Sequence, residues 1–114
     1  MPVAKILSVF GTRPEAIKMA PVVKALTVTE GLTPVTVVTA QHREMLDQVL
    51  GLFSLTPDHD LDIMTPRQSL GDVVVRALPG LERVIAAERP DAVLVQGDTT
   101  TAFVAALAAF YHQV

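Results

Sequence analysis

An apolar run from Ala4 to Phe10, broken only by Lys5 and Ser8, passes through Gly11-Thr12-Arg13-Pro14 directly into a helical pattern. Such a run reads as a buried strand, and a loop this short commits the chain to a strand–turn–helix unit. The loop brings backbone N–H groups and the positive end of a helix dipole to the edge of a sheet, where anions bind. Arg13 stands in the turn and Lys18 about one helical turn further on. Two cations beside a helix N-terminus oppose its dipole, which points to a negatively charged ligand. The competing reading is a solvated pair, with Lys18 bonded to Glu15 on the neighbouring turn.

The rest of the chain repeats this alternation. Thr12 and Glu15 have capping-box spacing, and Pro14 falls in the first turn, where its missing N–H costs little. Ile17, Ala20, Val23 and Ala25-Leu26 give the first helix an inward face, and Pro21 predicts a kink or a split. Gly31 to Pro34 closes the unit. A second strand is expected over Val35–Thr39, then a helix from Glu44 to Phe53 with Met45, Leu46, Val49, Leu50 and Phe53 inward. Leu61–Met64 is a candidate short strand. Ser69 is placed to cap a helix over Leu70–Glu88, kinked at Pro79-Gly80. Ala92–Gln96 is the next strand, and Gly97-Asp98-Thr99 turns into an Ala-rich helix reaching Tyr111, with Asp98 as its cap. That helix is apolar nearly all round, so it is expected to be buried, in part against a layer or partner outside this chain.

Continuous aliphatic strands alternating with helices define an α/β fold, a Rossmann-like doubly wound parallel sheet. With strand order 3-2-1-4 the switch point lies between the first and last strands, and ligands bind at the carboxyl ends of the strands there. Arg13 and Asp98, remote in sequence, are then expected to face one crevice. Asp98 in that place is a candidate proton carrier as well as a helix cap.

Composition narrows the function. Twelve acidic against nine basic residues give a net charge of -3, which disfavours a general nucleic-acid or membrane-surface binder. There is no cysteine, so thiolate metal sites and disulfides are excluded. His42, His59 and His112 lack metal-ligand spacing, so no metal is expected. The cysteine-free composition and the short apolar runs read as a soluble, cytoplasmic protein. The lone Gly11 fails the dinucleotide fingerprint, and no P-loop is present.

Three stretches together, FGTRPEAIKMAPVVKAL from Phe10, TAQHREMLDQVL from Thr39 and VQGDTTTAFVAALAAFY from Val95, closely resemble the non-hydrolysing bacterial UDP-N-acetylglucosamine 2-epimerases. The resemblance implies a two-domain glycosyltransferase-B-type protein, of which residues 1–114 would be the first part of the N-terminal domain. It implies interconversion of UDP-GlcNAc and UDP-ManNAc through elimination of UDP and its re-addition, with no cofactor. By motif match Arg13 would bind the UDP phosphates, and Lys18 and Asp98 would belong to the catalytic group and contact substrate. Gln41 and Arg67 match positions that touch a second UDP-GlcNAc, an allosteric activator; Glu44 stands where some members have Gln. A homodimer and a role in polysaccharide precursor synthesis are also implied, with the 114 residues inactive alone. The other readings are a different glycosyltransferase-B-type nucleotide-sugar enzyme, a non-catalytic nucleotide- or anion-binding module, and an interaction module docking through the last helix.

Overall fold

A computed structural model describes residues 3–114. Four parallel strands, β1 (Ala4–Phe10), β2 (Leu32–Val38), β3 (His59–Asp60) and β4 (Ala92–Leu94), form one sheet in the order β3-β2-β1-β4. Four helices alternate with them: α1 (Arg13–Val28), α2 (Arg43–Leu52), α3 (Leu70–Glu88) and α4 (Thr100–Tyr111). This is the expected α/β order, with the switch between β1 and β4.

The two faces of the sheet have separate aliphatic cores. Leu7, Val9, Val35 and Val37 pack with Val73, Leu81 and Ile85 of α3 and Val104 and Ala108 of α4. Phe10 and Val38 pack with Ala16, Met19 and Val23 of α1 and Leu46, Val49 and Leu50 of α2. Alternate strand residues thus serve opposite layers, each fully buried aliphatic side chain contributing about 1.5–3 kcal/mol.

Several boundaries differ from the sequence expectation. Strand β2 begins at Leu32 rather than Val35, with Pro34 inside it. Pro34 pairs with Ile6 on one side, while β3 reaches only Val37 and Val38 on the other, so no ladder bond is lost there. The third strand is His59–Asp60, and Leu61–Met64 is not a strand: Leu61 and Ile63 pack as core residues from irregular backbone. Strand β4 stops at Leu94. Neither helix proline splits its helix. Pro21 and Pro79 lie on exposed faces, as do Ile17 and Val75 four residues before them, so the released carbonyls meet water. Ile17 and Met45 are 42% and 48% exposed rather than inward. Helix α4 is half-buried: Val104, Ala105 and Ala108 are covered, but Phe103, Phe110 and Tyr111 are exposed. Among the described residues no helix is long and apolar enough to cross a membrane.

Candidate functional site

Three loops meet at the carboxyl ends of β1, β2 and β4. Gly11 is the meeting point. A Cβ there would fall 1.9 Å from Thr39 Oγ1 and 2.9 Å from Thr101 Oγ1, so only glycine lets the loops close. The backbone fixes this approach, with Thr39 N–H donating to Phe10 O and His42 N–H to Gly11 O. Behind Gly11, Thr39 Oγ1 lies 2.9 Å from Thr101 Oγ1, which donates to Gln41 Oε1 at 2.8 Å.

Glu15 organises the start of α1. It is buried, and its Oε1 accepts the backbone N–H of Gly11 and of Thr12, both at 3.1 Å, and the Thr12 hydroxyl at 3.0 Å. Its Oε2 accepts the Thr99 hydroxyl at 2.5 Å, across 84 positions of sequence. The capping box foreseen at Thr12 is therefore also a bridge between the β1–α1 and β4–α4 loops. It changes the anion reading as well. The N–H groups of Gly11 and Thr12 are already satisfied by a carboxylate from within the chain, so binding of an external anion here falls to side chains rather than to the loop backbone.

Those side chains are available. Arg13 and Lys18 are exposed on α1, and neither takes part in a hydrogen bond or ion pair among the described residues. The Lys18–Glu15 pair is not formed, because Glu15 faces inward to the four donors above. Asp98 is exposed beside Gly97, whose φ of +86° shapes the turn. Asp98 does not cap α4: Thr99 is the N-cap, and its Oγ1 accepts the Ala102 N–H at 3.1 Å. Among the described residues the Asp98 carboxylate has no partner, one residue from the Glu15–Thr99 bond.

Gln41 and Arg67 line a second opening, a cavity of about 250 Å³ shared with His42, Met64, Thr65 and Gln68. Arg67 reaches it from a left-handed turn at φ +61°. Gln41 follows Ala40, itself left-handed at φ +57° and buried, a conformation that costs a non-glycine residue about 1–2 kcal/mol. Among the described residues no group of three or more His, Asp and Glu side chains could hold a metal ion.

Glu15, Thr39 and Thr101 are the buried members of this site that sequence reading missed. The capping-box spacing was the only local signal for Glu15; nothing local marks its contact with Thr99, or the Thr39–Thr101 contact 62 positions apart.

A family model described as UDP-N-acetylglucosamine 2-epimerase matches residues 24–114. The UDP-N-acetylglucosamine 2-epimerase of Escherichia coli (strain K12) is 57% identical over 110 residues, covering 96% of this chain and 29% of that protein. The S. aureus MnaA–UDP co-structure superposes with a TM-score of 0.93 at 56% identity, covering 98% of this chain and 29% of its own. The UDP-GlcNAc 2-epimerase from Neisseria meningitidis bound to UDP-GlcNAc gives 0.88 at 55% identity, covering 96% and 30%. The chain thus spans under a third of the length of these relatives.

Proposed function

Because the chain belongs to the UDP-N-acetylglucosamine 2-epimerase family, we propose that it forms one wall of a nucleotide-sugar site in an isomerase interconverting UDP-GlcNAc and UDP-ManNAc. The observation that carries this is the trio of charges without a partner among the described residues, Arg13 and Lys18 on α1 and Asp98 on the β4–α4 loop, which Glu15 and Thr99 tie to the start of α1.

The family resemblance supplies the chemistry, and the charge pattern is compatible with it. A base removes the proton from C2 of the sugar while the C1–O bond to UDP breaks on the opposite face, leaving 2-acetamidoglucal. UDP then adds back to C1 as a proton returns to the other face of C2. Both steps are redox-neutral. Arg13 offsets the negative charge that collects on the departing diphosphate, a fixed cation being worth more in the transition state than in the ground state. Asp98 carries a proton at C2, and Lys18 supports the same reacting centre. The cavity at Gln41 and Arg67 takes a second UDP-GlcNAc as an allosteric activator. Residues 1–114 act within a homodimeric, cytoplasmic glycosyltransferase-B-type enzyme of polysaccharide precursor synthesis, and do not turn over substrate alone.

The test is a chimera in which residues 1–114 replace the matching segment of the E. coli relative. It should incorporate solvent deuterium at C2 of UDP-GlcNAc, and Asp98→Asn should abolish that exchange while retaining UDP binding. Normal exchange in Asp98→Asn removes Asp98 from the chemistry. Epimerisation by the 114 residues alone overturns the shared-site reading.

A further inference from the structure

We infer that Glu15 is a positioning residue: its buried carboxylate holds the Gly97–Thr99 loop at a fixed place relative to the start of α1, and so sets where Asp98 stands relative to Arg13. This rests on the proposed roles of Arg13 and Asp98 but adds a residue that does not touch substrate, since Glu15 is 1% exposed.

The geometry divides the carboxylate between two tasks. Oε1 takes three donors from Gly11 and Thr12 and orders the turn that ends at Arg13. Oε2 takes only the Thr99 hydroxyl, from the residue after Asp98. Thr99 Oγ1 also accepts the Ala102 N–H that caps α4. A hydroxyl has one proton, and here Glu15 receives it, so the orientation that caps α4 is the one that grips α1. Gly97 lies beside this side chain with room for a Cβ, which would meet Glu15 Cγ at 4.0 Å, so glycine is called for here by the φ of +86° rather than by space. The loop otherwise has little to hold it, as Gly97 and Asp98 are both exposed.

A glutamine at position 15 keeps the shape and can still accept from the turn through Oε1. Its NH2 can donate to the second lone pair of Thr99 Oγ1, so this variant reverses the direction of the tie and removes the charge without breaking the contact. Thr99→Asp keeps a good N-cap but replaces the donor with an acceptor facing Glu15. Thr99→Ser retains both bonds. Thr99→Asp against the other two separates the tie from the cap.

The experiment is backbone 15N relaxation on the 114-residue chain, without ligand and with saturating UDP. In the native chain and in Thr99→Ser the order parameters at Gly97–Thr99 should match those of β1, about 0.85. In Thr99→Asp they should fall below about 0.6 at Gly97–Thr99, and in Glu15→Gln they should stay with the native values, while β1 and β2 stay near 0.85 in both. A general loss of stability would lower both sets together. If Thr99→Asp does not fold, Thr99→Ala, which has no hydroxyl to give Glu15, decides against Thr99→Ser. Unchanged order at Gly97–Thr99 in the broken-tie variant overturns the inference. The UDP arm tests the functional reading separately: absence of any shift at the Arg13 amide in the native chain overturns that reading and leaves the ligand-free result standing.

Discussion

Two arginines occupy the same place in adjacent strand–helix units and meet opposite fates. Arg13 is the first residue of α1 and Arg43 the first of α2. A cation at either position opposes the helix dipole. At α2 the chain compensates locally. Arg43 makes a two-pronged contact with Asp47, with Nη2 at 2.7 Å from Oδ1 and Nε at 3.1 Å from Oδ2. It also reaches Asp60 at 2.9 Å and Asp62 at 3.1 Å. These carboxylates, Asp60 first and then Asp47, push the guanidinium pKa further up. At α1 the nearby carboxylate, Glu15, is turned inward to backbone N–H groups and hydroxyls, and Arg13 is left to solvent. Identical residues at equivalent positions are thus a structural anchor in one unit and a free cation in the next. Partner geometry, rather than residue type, separates the two.

The largest expected effect concerns the turn that places Arg13. Gly11→Ala should destabilise the chain by about 3 kcal/mol, because the new methyl overlaps Thr39 inside a closed contact. Urea unfolding with an unchanged slope checks it, and near-native stability would mean that the three loops are looser than their contacts indicate. Arg13→Ala should weaken UDP binding by about ten- to a hundredfold, the worth of a charge-assisted contact of about 1.5–3 kcal/mol. It should change the unfolding free energy by less than about 0.5 kcal/mol, as expected of an unengaged surface side chain.

Arg43→Ala should reverse that pattern. UDP affinity in calorimetry stays the same, and stability falls by about 1 kcal/mol, since its three aspartates are partly exposed and solvent screens them. Binding loss in Arg43→Ala with none in Arg13→Ala would invert the comparison. The smallest effect should come from a second paired charge, Glu88, whose carboxylate sits 2.6 Å from His59 Nε2 and 3.2 Å from Lys5 Nζ. His59, and then Lys5, hold its pKa below the ordinary 4.5. Its stabilisation is therefore fully present above that value and is lost as pH falls through the lower folded one. Thermal unfolding of Glu88→Gln should trail the native chain by less than about 1 kcal/mol at neutral pH, with the gap closing in acid.

The sequence reveals the scaffold better than the site. Alternation of aliphatic runs with helical spacing was enough for the element order, because that follows from what must be buried; the 3-2-1-4 sheet order was a premise taken from doubly wound folds, and the strands adopt it. Boundaries failed where tertiary context decided them. Pro34 looked like a stop but lies where its strand has a neighbour on only one side. Leu61 and Ile63 looked like a strand yet fill the core from a loop. In the site, the exposed residues were legible because charge at a strand's carboxyl end is conspicuous. The choice between Asp98 and Thr99 as cap was not, since both are good caps and only the Glu15 contact selects Thr99. The buried threonines carry no local signal at all.

The Thr39–Thr101–Gln41 chain has a polarity. Thr101 owns one hydroxyl proton and gives it to Gln41 Oε1, so Thr39 must be the donor to Thr101. Gln41 is thereby held through its carbonyl, and its NH2 has no protein partner among the described residues, in an opening that Arg67 also lines. Buried hydroxyls in this way decide the hydrogen-bonding character of an opening they do not touch. That opening presents proton donors and favours a guest rich in acceptor oxygens over one that must donate.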